Sequence, residues 1–297
     1  MWQLPSCRHP PNTVLPQKIR LNERTLIMLL SLKPAPSLQP FVLGYWFVKD
    51  WAGEYEGRPI QTAPHPGAVL SVNIGRPNAT ADGQLAPPVS LLGLQTSARR
   101  WRSWSETYFV MAMLSIMGMM RLFPAIGEDT ANRLTELNTH IGDQAAHAIS
   151  AGIDPSWSPR QIASHLDRWL IKRLEQVKSP PEFSRFKAAH ESLRAGQQVL
   201  AVANSVGVSR RQLDRWFHTH IGMGPQQLRD LERLQKSIRA VQRRDGDPLA
   251  GFSDQAHQIR RWGRRLDTTP AHYSHSQLSP MARYFVASDS AAPAFYL

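Results

Sequence analysis

The spacing of apolar residues changes character twice along this chain. Between residues 38 and about 113 the apolar residues come in short runs. In AVLSVNIG (68–75) they alternate, with Val69, Ser71, Asn73 and Gly75 on one side and Leu70, Val72 and Ile74 on the other. A period of two predicts a strand. FVLGYWFV (41–48), VSLLGLQT (89–96) and ETYFVMAML (106–114) predict more strands. Pro64-His65-Pro66-Gly67, Arg76-Pro77-Asn78 and Ala86-Pro87-Pro88 separate the segments. Short strands at this spacing predict a small β-sandwich or barrel.

From Arg121 the period lengthens to that of a helix. TANRLTELNTHIGDQAAHAI (130–149) predicts one or two helices. Ser158-Pro159 opens a clearer one, with serine as N-cap and proline at the first helical position. Its stripe is Ile162, Leu166, Trp169, Leu170, Leu174 and Val177, with Arg160, Arg168, Lys172 and Arg173 beside it. Lys178-Ser179-Pro180-Pro181 is a stiff polar break and marks a domain boundary. A helix over 182–195, built on Phe183, Phe186, Ala189 and Leu193, closes at Gly196.

VLAVANSVGVSRRQLDRWFHTHIGMGP, from Val199, predicts two helices joined by a tight turn. Val199, Leu200, Val202 and Ala203 form the first. Gly207 supplies a residue that tolerates positive φ at the turn. Ser209 caps the second helix, whose Leu213 and Phe217 share an inner face. Arg210, Arg211, Gln212 and Arg215 are left facing outward at its start. A basic helical hairpin with a solvated face shares this spacing. Beyond Pro225, an amphipathic helix runs on Leu228, Leu231, Leu234, Ile238 and Val241, with Arg229, Arg233, Lys236, Arg239 and Arg243 on its other side.

Ser209, Leu213, Arg215, Phe217, Gly222 and Pro225 stand at the spacing of the first helix-turn-helix of the AraC/XylS family of bacterial transcription regulators, which this segment resembles. GFSDQAHQIRRWGRRLDTTPAHY (251–273) resembles that family's second unit, through Gly251, Phe252, Ser253, Asp254, Gln255, His257, Arg260, Thr269 and Pro270. Four departures weaken the second unit. Only DGDPLA separates Arg244 from Gly251, where the family has a supporting helix, and Pro248 opposes one there. Gln258 replaces a buried apolar residue and needs a partner. Gly263 falls inside the recognition helix, and Asp267 replaces a closing glycine.

The resemblance implies an α+β protein of two domains: an N-terminal β-rich, cupin-like sensor domain followed by helices, and a C-terminal all-α double helix-turn-helix domain. The expected division is 1–32 as a loose N-terminal tail with Met28 as an alternative start, 33–120 as the sensor, 121–178 as a helical connector or dimerisation region, 179–276 as the DNA-binding domain, and 277–297 as a C-terminal tail. The expected DNA contacts are Ser209, Arg210, Arg211, Gln212 and Arg215 from the first unit, and Ser253, Gln255, His257, Arg260 and Arg261 from the second. Arg264 and Arg265 join them as phosphate contacts. Arginine suits guanine O6/N7 and glutamine suits adenine N6/N7. The implied partners are double-stranded DNA, a small-molecule effector, a second copy of the chain and, for an activator, RNA polymerase.

Composition agrees with this reading and excludes others. The formal net charge is +12 over 297 residues, which favours a polyanionic partner such as nucleic acid or an anionic membrane. Nine tryptophans argue against a disordered chain. The single cysteine, Cys7, excludes an internal disulfide and a cysteine-built zinc site, and fits a reducing cytoplasm. LIMLLSL (26–32) and YFVMAMLSIMGMM (108–120) are both too short to cross a bilayer, which takes about 20 residues. The second is expected to enter as a strand and leave as a helix, with its methionines as core filler.

No catalytic constellation emerges. His65, His140, His147, His165, His190 and His218 are scattered, and His218 and His220 are expected at the surface. Asp50, Glu54 and Glu56 are expected in a solvated loop. There is no glycine-rich phosphate loop, no G-x-S-x-G and no H-E-x-x-H. The expectation is a cytoplasmic regulator, not an enzyme, with no cofactor or metal. The alternative is a β-barrel carrier or enzyme with a degenerate, sequence-blind DNA-binding tail.

Overall fold

The computed structural model of the chain describes residues 27–244, 247, 249, 251–275, 278–288 and 294–297. Among the described residues the N-terminal domain holds nine strands: β1 (Ile27–Leu32), β2 (Val42–Asp50), β3 (Ile60–Thr62), β4 (Ala68–Asn73), β5 (Ala79–Thr80), β6 (Val89–Leu92), β7 (Arg99–Arg102), β8 (Thr107–Leu114) and, after two short helices, β9 (Leu134–Glu136). Six form one sheet in the order β1-β2-β8-β4-β6-β9, and three form a second in the order β3-β7-β5.

The larger sheet is covered on both faces. Tyr45, Phe47, Leu70, Val72, Leu91, Val110 and Ala112 pack under helices. Trp46, Val48, Val69, Leu92, Phe109, Met111 and Met113 face the smaller sheet. A strand buried on both faces needs no polar alternation. This is why Thr107–Leu114 is buried throughout and reads as a continuous apolar run.

The helices over the first face are α1 (Ile116–Leu122), α2 (Gly127–Thr130), α3 (Asn138–Ile141), α4 (Asp143–Ser150) and α5 (Pro159–Gln176). As expected, the methionine-rich run leaves β8 directly as α1, and Met119 and Met120 are buried. α5 opens on a capping box between Ser158 and Gln161, with Pro159 in its first turn. Its Ile162, Leu166 and Leu170 enter the core.

The C-terminal domain comprises α6 (Phe183–Arg194), α7 (Val199–Ser205), α8 (Arg210–Ile221), α9 (Pro225–Arg243), α10 (Gln255–Leu266) and α11 (Pro270–His275), and α12 (Pro280–Ser288) follows. Phe186, Val202, Leu213, Phe217 and Leu228 form its core with Ile116 and Met120 of α1.

Several boundaries move. The expected tail 1–32 ends inside β1, which pairs with β2 from Ile27–Asp50 to Leu32–Tyr45. Met28 is a residue of this strand, while Cys7 and the rest of 1–26 lie outside the described residues. The expected tail 277–297 is also corrected. Met281, Phe285, Phe295 and Tyr296 are buried against the larger sheet. Segment 130–149 holds a strand, β9, beside its helices. Asp50 is not solvated: it is fully buried and accepts the backbone N–H groups of Gly53, Glu54 and Tyr55 at 3.0, 2.9 and 2.8 Å.

Candidate nucleic-acid interface

The first unit is built as its sequence demands. Gly207 closes α7 at φ +68°, beyond the range a side chain tolerates cheaply. Val202 and Ala203 of α7 are buried, while Leu200 is 61% exposed. Ser209 begins α8, its hydroxyl accepting the Gln212 N–H at 3.1 Å. This satisfies one orphan donor and fixes where the helix starts. Leu213, Trp216, Phe217 and Ile221 are buried, which turns the other side of α8 to solvent.

On that side the predicted residues gather. Ser209, Arg210, Arg211 and Arg215 are exposed and Gln212 is half-buried. Arg215 donates to Gln212 Oε1 at 2.5 Å. Arg210 lies 3.9 Å from Asp214, an exposed contact that solvent screens. Three guanidinium groups thus surround a helix N-terminus that carries partial positive charge of its own. This end of a helix-turn-helix recognition helix reaches base edges.

The other end of α8 is locked. Gly222 takes φ +73° after Ile221 and lies against Gly127 of α2. His220 is buried, which corrects the expected surface position. Its Nδ1 accepts the Ala125 N–H at 3.3 Å, so Nε2 is left to donate to Glu182 at 2.7 Å. Burial pushes the Glu182 carboxyl upward. The hydrogen bond from His220, its own backbone N–H and the charge of Arg185 outweigh this and hold it below its ordinary value.

The second unit differs in each respect. Asp247 and Leu249 are not helical, while Asp245, Gly246, Pro248 and Ala250 lie outside the described residues. No supporting helix precedes α10 among the described residues. Its N-cap is Asp254, which accepts the His257 N–H at 2.7 Å and sets a carboxylate where a phosphate would approach. The His257 N–H and the Ser253 hydroxyl hold that carboxyl below its ordinary range.

Ser253, Gln255 and Arg260 are exposed and His257 is half-buried. Arg261 is already engaged, pairing with Asp230 of α9 at 2.7 Å. Gln258 found its partner: buried, it donates to Ser237 Oγ at 2.8 Å, which Trp262 Nε1 also reaches at 3.0 Å.

The C-terminal end of α10 docks on the smaller sheet. Ala98 N–H donates to the Arg265 carbonyl at 2.7 Å, and Arg100 pairs with Asp267 at 3.2 Å. Asp267 takes the positive φ, +58°, that the replaced glycine would have supplied. Arg264 and Arg265 line the cleft between α10 and this sheet, so the structure does not group them with the outward-facing arginines of α8. Among the described residues, no three His, Cys, Asp or Glu side chains come together as metal ligands would. No helix among them is long and apolar enough to cross a membrane.

Residues 202–276 match the family of helix-turn-helix domains. No curated protein matches the sequence. Among solved structures, ToxT from Vibrio cholerae O395 is similar at 10% identity and a TM-score of 0.40, over 73% of this chain and 92% of that one. Unsaturated-fatty-acid-bound wild-type ToxT from Vibrio cholerae strain SCE256 is similar at 12% identity and a TM-score of 0.41, over 86% of this chain and 97% of that one. Over residues 202–276, the chain carries an AraC-type helix-turn-helix domain.

Proposed function

We propose that this chain is a transcription regulator that reads double-stranded DNA mainly through α8 and responds to an uncharged small molecule held between its two sheets. The observation that carries the first half is the free, serine-capped start of α8 with Arg210, Arg211 and Arg215 exposed around Gln212. In the second unit, Arg261 is paired and a carboxylate caps the helix. Its contribution in this reading is charge from Arg260, with little base recognition.

The second half rests on a cavity of about 60 Å³ between the sheets. Val69, Leu92, Phe109 and Met111 make it apolar, and Ser71, Asn73, Asn78 and Ser90 supply polar groups. Ser71 and Ser90 are cross-strand partners on β4 and β6. The Ser90 hydroxyl is 1% exposed and has no hydrogen-bond partner. No charged residue lines the cavity, so a buried ionised ligand would be unpaired there.

In this reading the chain is a binding protein rather than an enzyme. A homodimer through the connector and, for activation, a contact with RNA polymerase belong to the same proposal. The test is selection of the full chain against a randomised duplex pool at near-physiological salt. An enriched motif that relaxes at one position in Arg211→Ala and at another in Arg215→Ala supports the reading. Retention without a motif, lost as salt rises, overturns it.

A further inference from the structure

The gap between the two sheets is partly filled by the chain itself. Phe285 of α12 stacks on Trp46 with ring centroids 4.1 Å apart, and Phe295 meets the same indole edge-on at 6.0 Å. The Tyr296 hydroxyl lies 3.9 Å from the Met111 sulfur. Met281, Phe295 and Tyr296 form one wall of the cavity that Ser71, Asn73 and Ser90 line from the other side.

The main chain of Ala294–Leu297 faces two domains at once. Toward the N-terminal domain it extends the edge of β3. Ala63 N–H donates to the Phe295 carbonyl at 2.7 Å, Leu297 N–H donates to the Gln61 carbonyl at 3.0 Å, and Thr62 and Tyr296 form an antiparallel bridge. Toward the DNA-binding domain its remaining groups bind glutamines of α9. Gln235 accepts the Ala294 N–H and donates to the Ala294 carbonyl, both at 2.9 Å, and donates to the Pro64 carbonyl as well. Gln242 Nε2 donates to the Tyr296 carbonyl at 2.8 Å and to the Tyr273 hydroxyl at 2.7 Å. Both glutamines are buried. Losing these partners would therefore strand polar groups away from water.

Small-molecule pockets run from roughly 300 Å³ upward. The present cavity, about 60 Å³, is far smaller. Enlarging it through the sheets would break strand pairing, whereas moving Phe295 and Tyr296 leaves the strand order of both sheets intact and breaks the bonds to the edge of β3 and the ring contacts with Trp46 and His65. That movement also withdraws Ala294 from Gln235 and the Tyr296 carbonyl from Gln242. We infer that Ala294–Leu297 is a displaceable plug: an uncharged, largely apolar ligand with one hydrogen-bonding group for Ser90 competes with Phe295 and Tyr296 for the space between the sheets, and its entry frees α9 from the N-terminal domain. This rests on the cavity being the effector site. The strap then holds one docked arrangement, and the ligand shifts the population away from it.

The test uses the uncharged fluorescent probe N-phenyl-1-naphthylamine on the full chain, on Phe295→Ala/Tyr296→Ala, and on a chain lacking residues 294–297. A plug lowers apparent affinity by the fraction of molecules in which it is open, so both variants should bind the probe about tenfold or more tightly than the full chain. The peptide AAPAFYL, added in trans, should expel the probe from the shortened chain. Amide exchange over residues 235–242 of the full chain should rise at saturating probe. Equal affinity in all three proteins, a probe that stays bound at saturating peptide, or unchanged exchange in α9 would overturn the inference. None of these readouts involves DNA, so failure here is distinct from failure of the DNA-binding reading.

Discussion

Gly127 and Gly222 touch backbone to backbone. A Cβ on Gly222 would fall 2.2 Å from the Gly127 carbonyl oxygen, and one on Gly127 would fall 2.4 Å from the Gly222 nitrogen. Neither neighbour is a movable side-chain tip. The contact seats the end of α8 on the connector and so sets the direction in which its basic start points. Gly127→Ala should force the two elements apart and destabilise the chain by about 1–3 kcal/mol, the usual range for overpacking. Urea denaturation checks this, with a lowered midpoint as the expected outcome.

Gly263 is the opposite case. It lies in the interior of α10, is exposed, and a Cβ there would meet nothing within 4 Å. Gly263→Ala should raise stability by about 0.5–1 kcal/mol through lower conformational freedom of the unfolded chain. The same denaturation measurement should show a higher midpoint, and DNA affinity should hardly move if α8 is the principal reader.

Arg211 and Arg215 should behave unlike Arg260. Removing a base contact costs about 1–3 kcal/mol and relaxes the preferred motif at one position. Removing a phosphate contact weakens all sequences alike and lowers the salt slope by about one. Binding isotherms of Arg211→Ala, Arg215→Ala and Arg260→Ala on matched and mismatched duplexes, over a range of salt, should place the first two in the former class and the third in the latter.

His65 makes the fold acid-sensitive. Its ring is 1% exposed, edge-on to Phe295 at 5.1 Å, and neither nitrogen has a hydrogen-bond partner. Burial pushes its pKa down from 6.5 to about 3. Between those values the unfolded chain binds a proton that the folded chain does not, so stability falls as pH falls. It is fully present above 6.5 and is lost progressively toward 3. The depressed Glu182 carboxyl acts in the same direction. His65→Phe should flatten part of the dependence. Urea midpoints at about pH 7.5 and about pH 4.5 should differ less in the variant than in the parent.

The parts of the fold legible in the sequence were those set by neighbours in the chain. Ser158, Ser209, Gly207 and Gly222 fix helix ends through local hydrogen bonds and local φ, and each stands where the pattern placed it. The outward arginines of α8 follow from a period of 3.6 residues, and its capping serine from a hydroxyl standing at the helix start. What escaped depends on distant partners. β1 is an edge strand whose meaning lies in its register with β2, and β9 gains its identity only from β6.

Phe295 and Tyr296 sit in an alanine-rich stretch with no period, and only the exposed edge of β3 and the glutamines of α9 make them structural. His220 and Asp50 likewise gain their roles from Glu182 and from a loop of backbone donors. In the second unit the departures were readable one by one. That Arg261 would pair with Asp230, and that the end of α10 would dock on the smaller sheet, was not.

The most direct test of the account is the sequence motif that the full chain enriches from a randomised duplex pool. A reader that relies on α8 should enrich one compact half-site, and Ser253→Ala with Gln255→Ala should leave that motif unchanged. A bipartite motif with its halves about one helical turn apart, lost on those substitutions, would contradict it by showing that α10 reads bases as well.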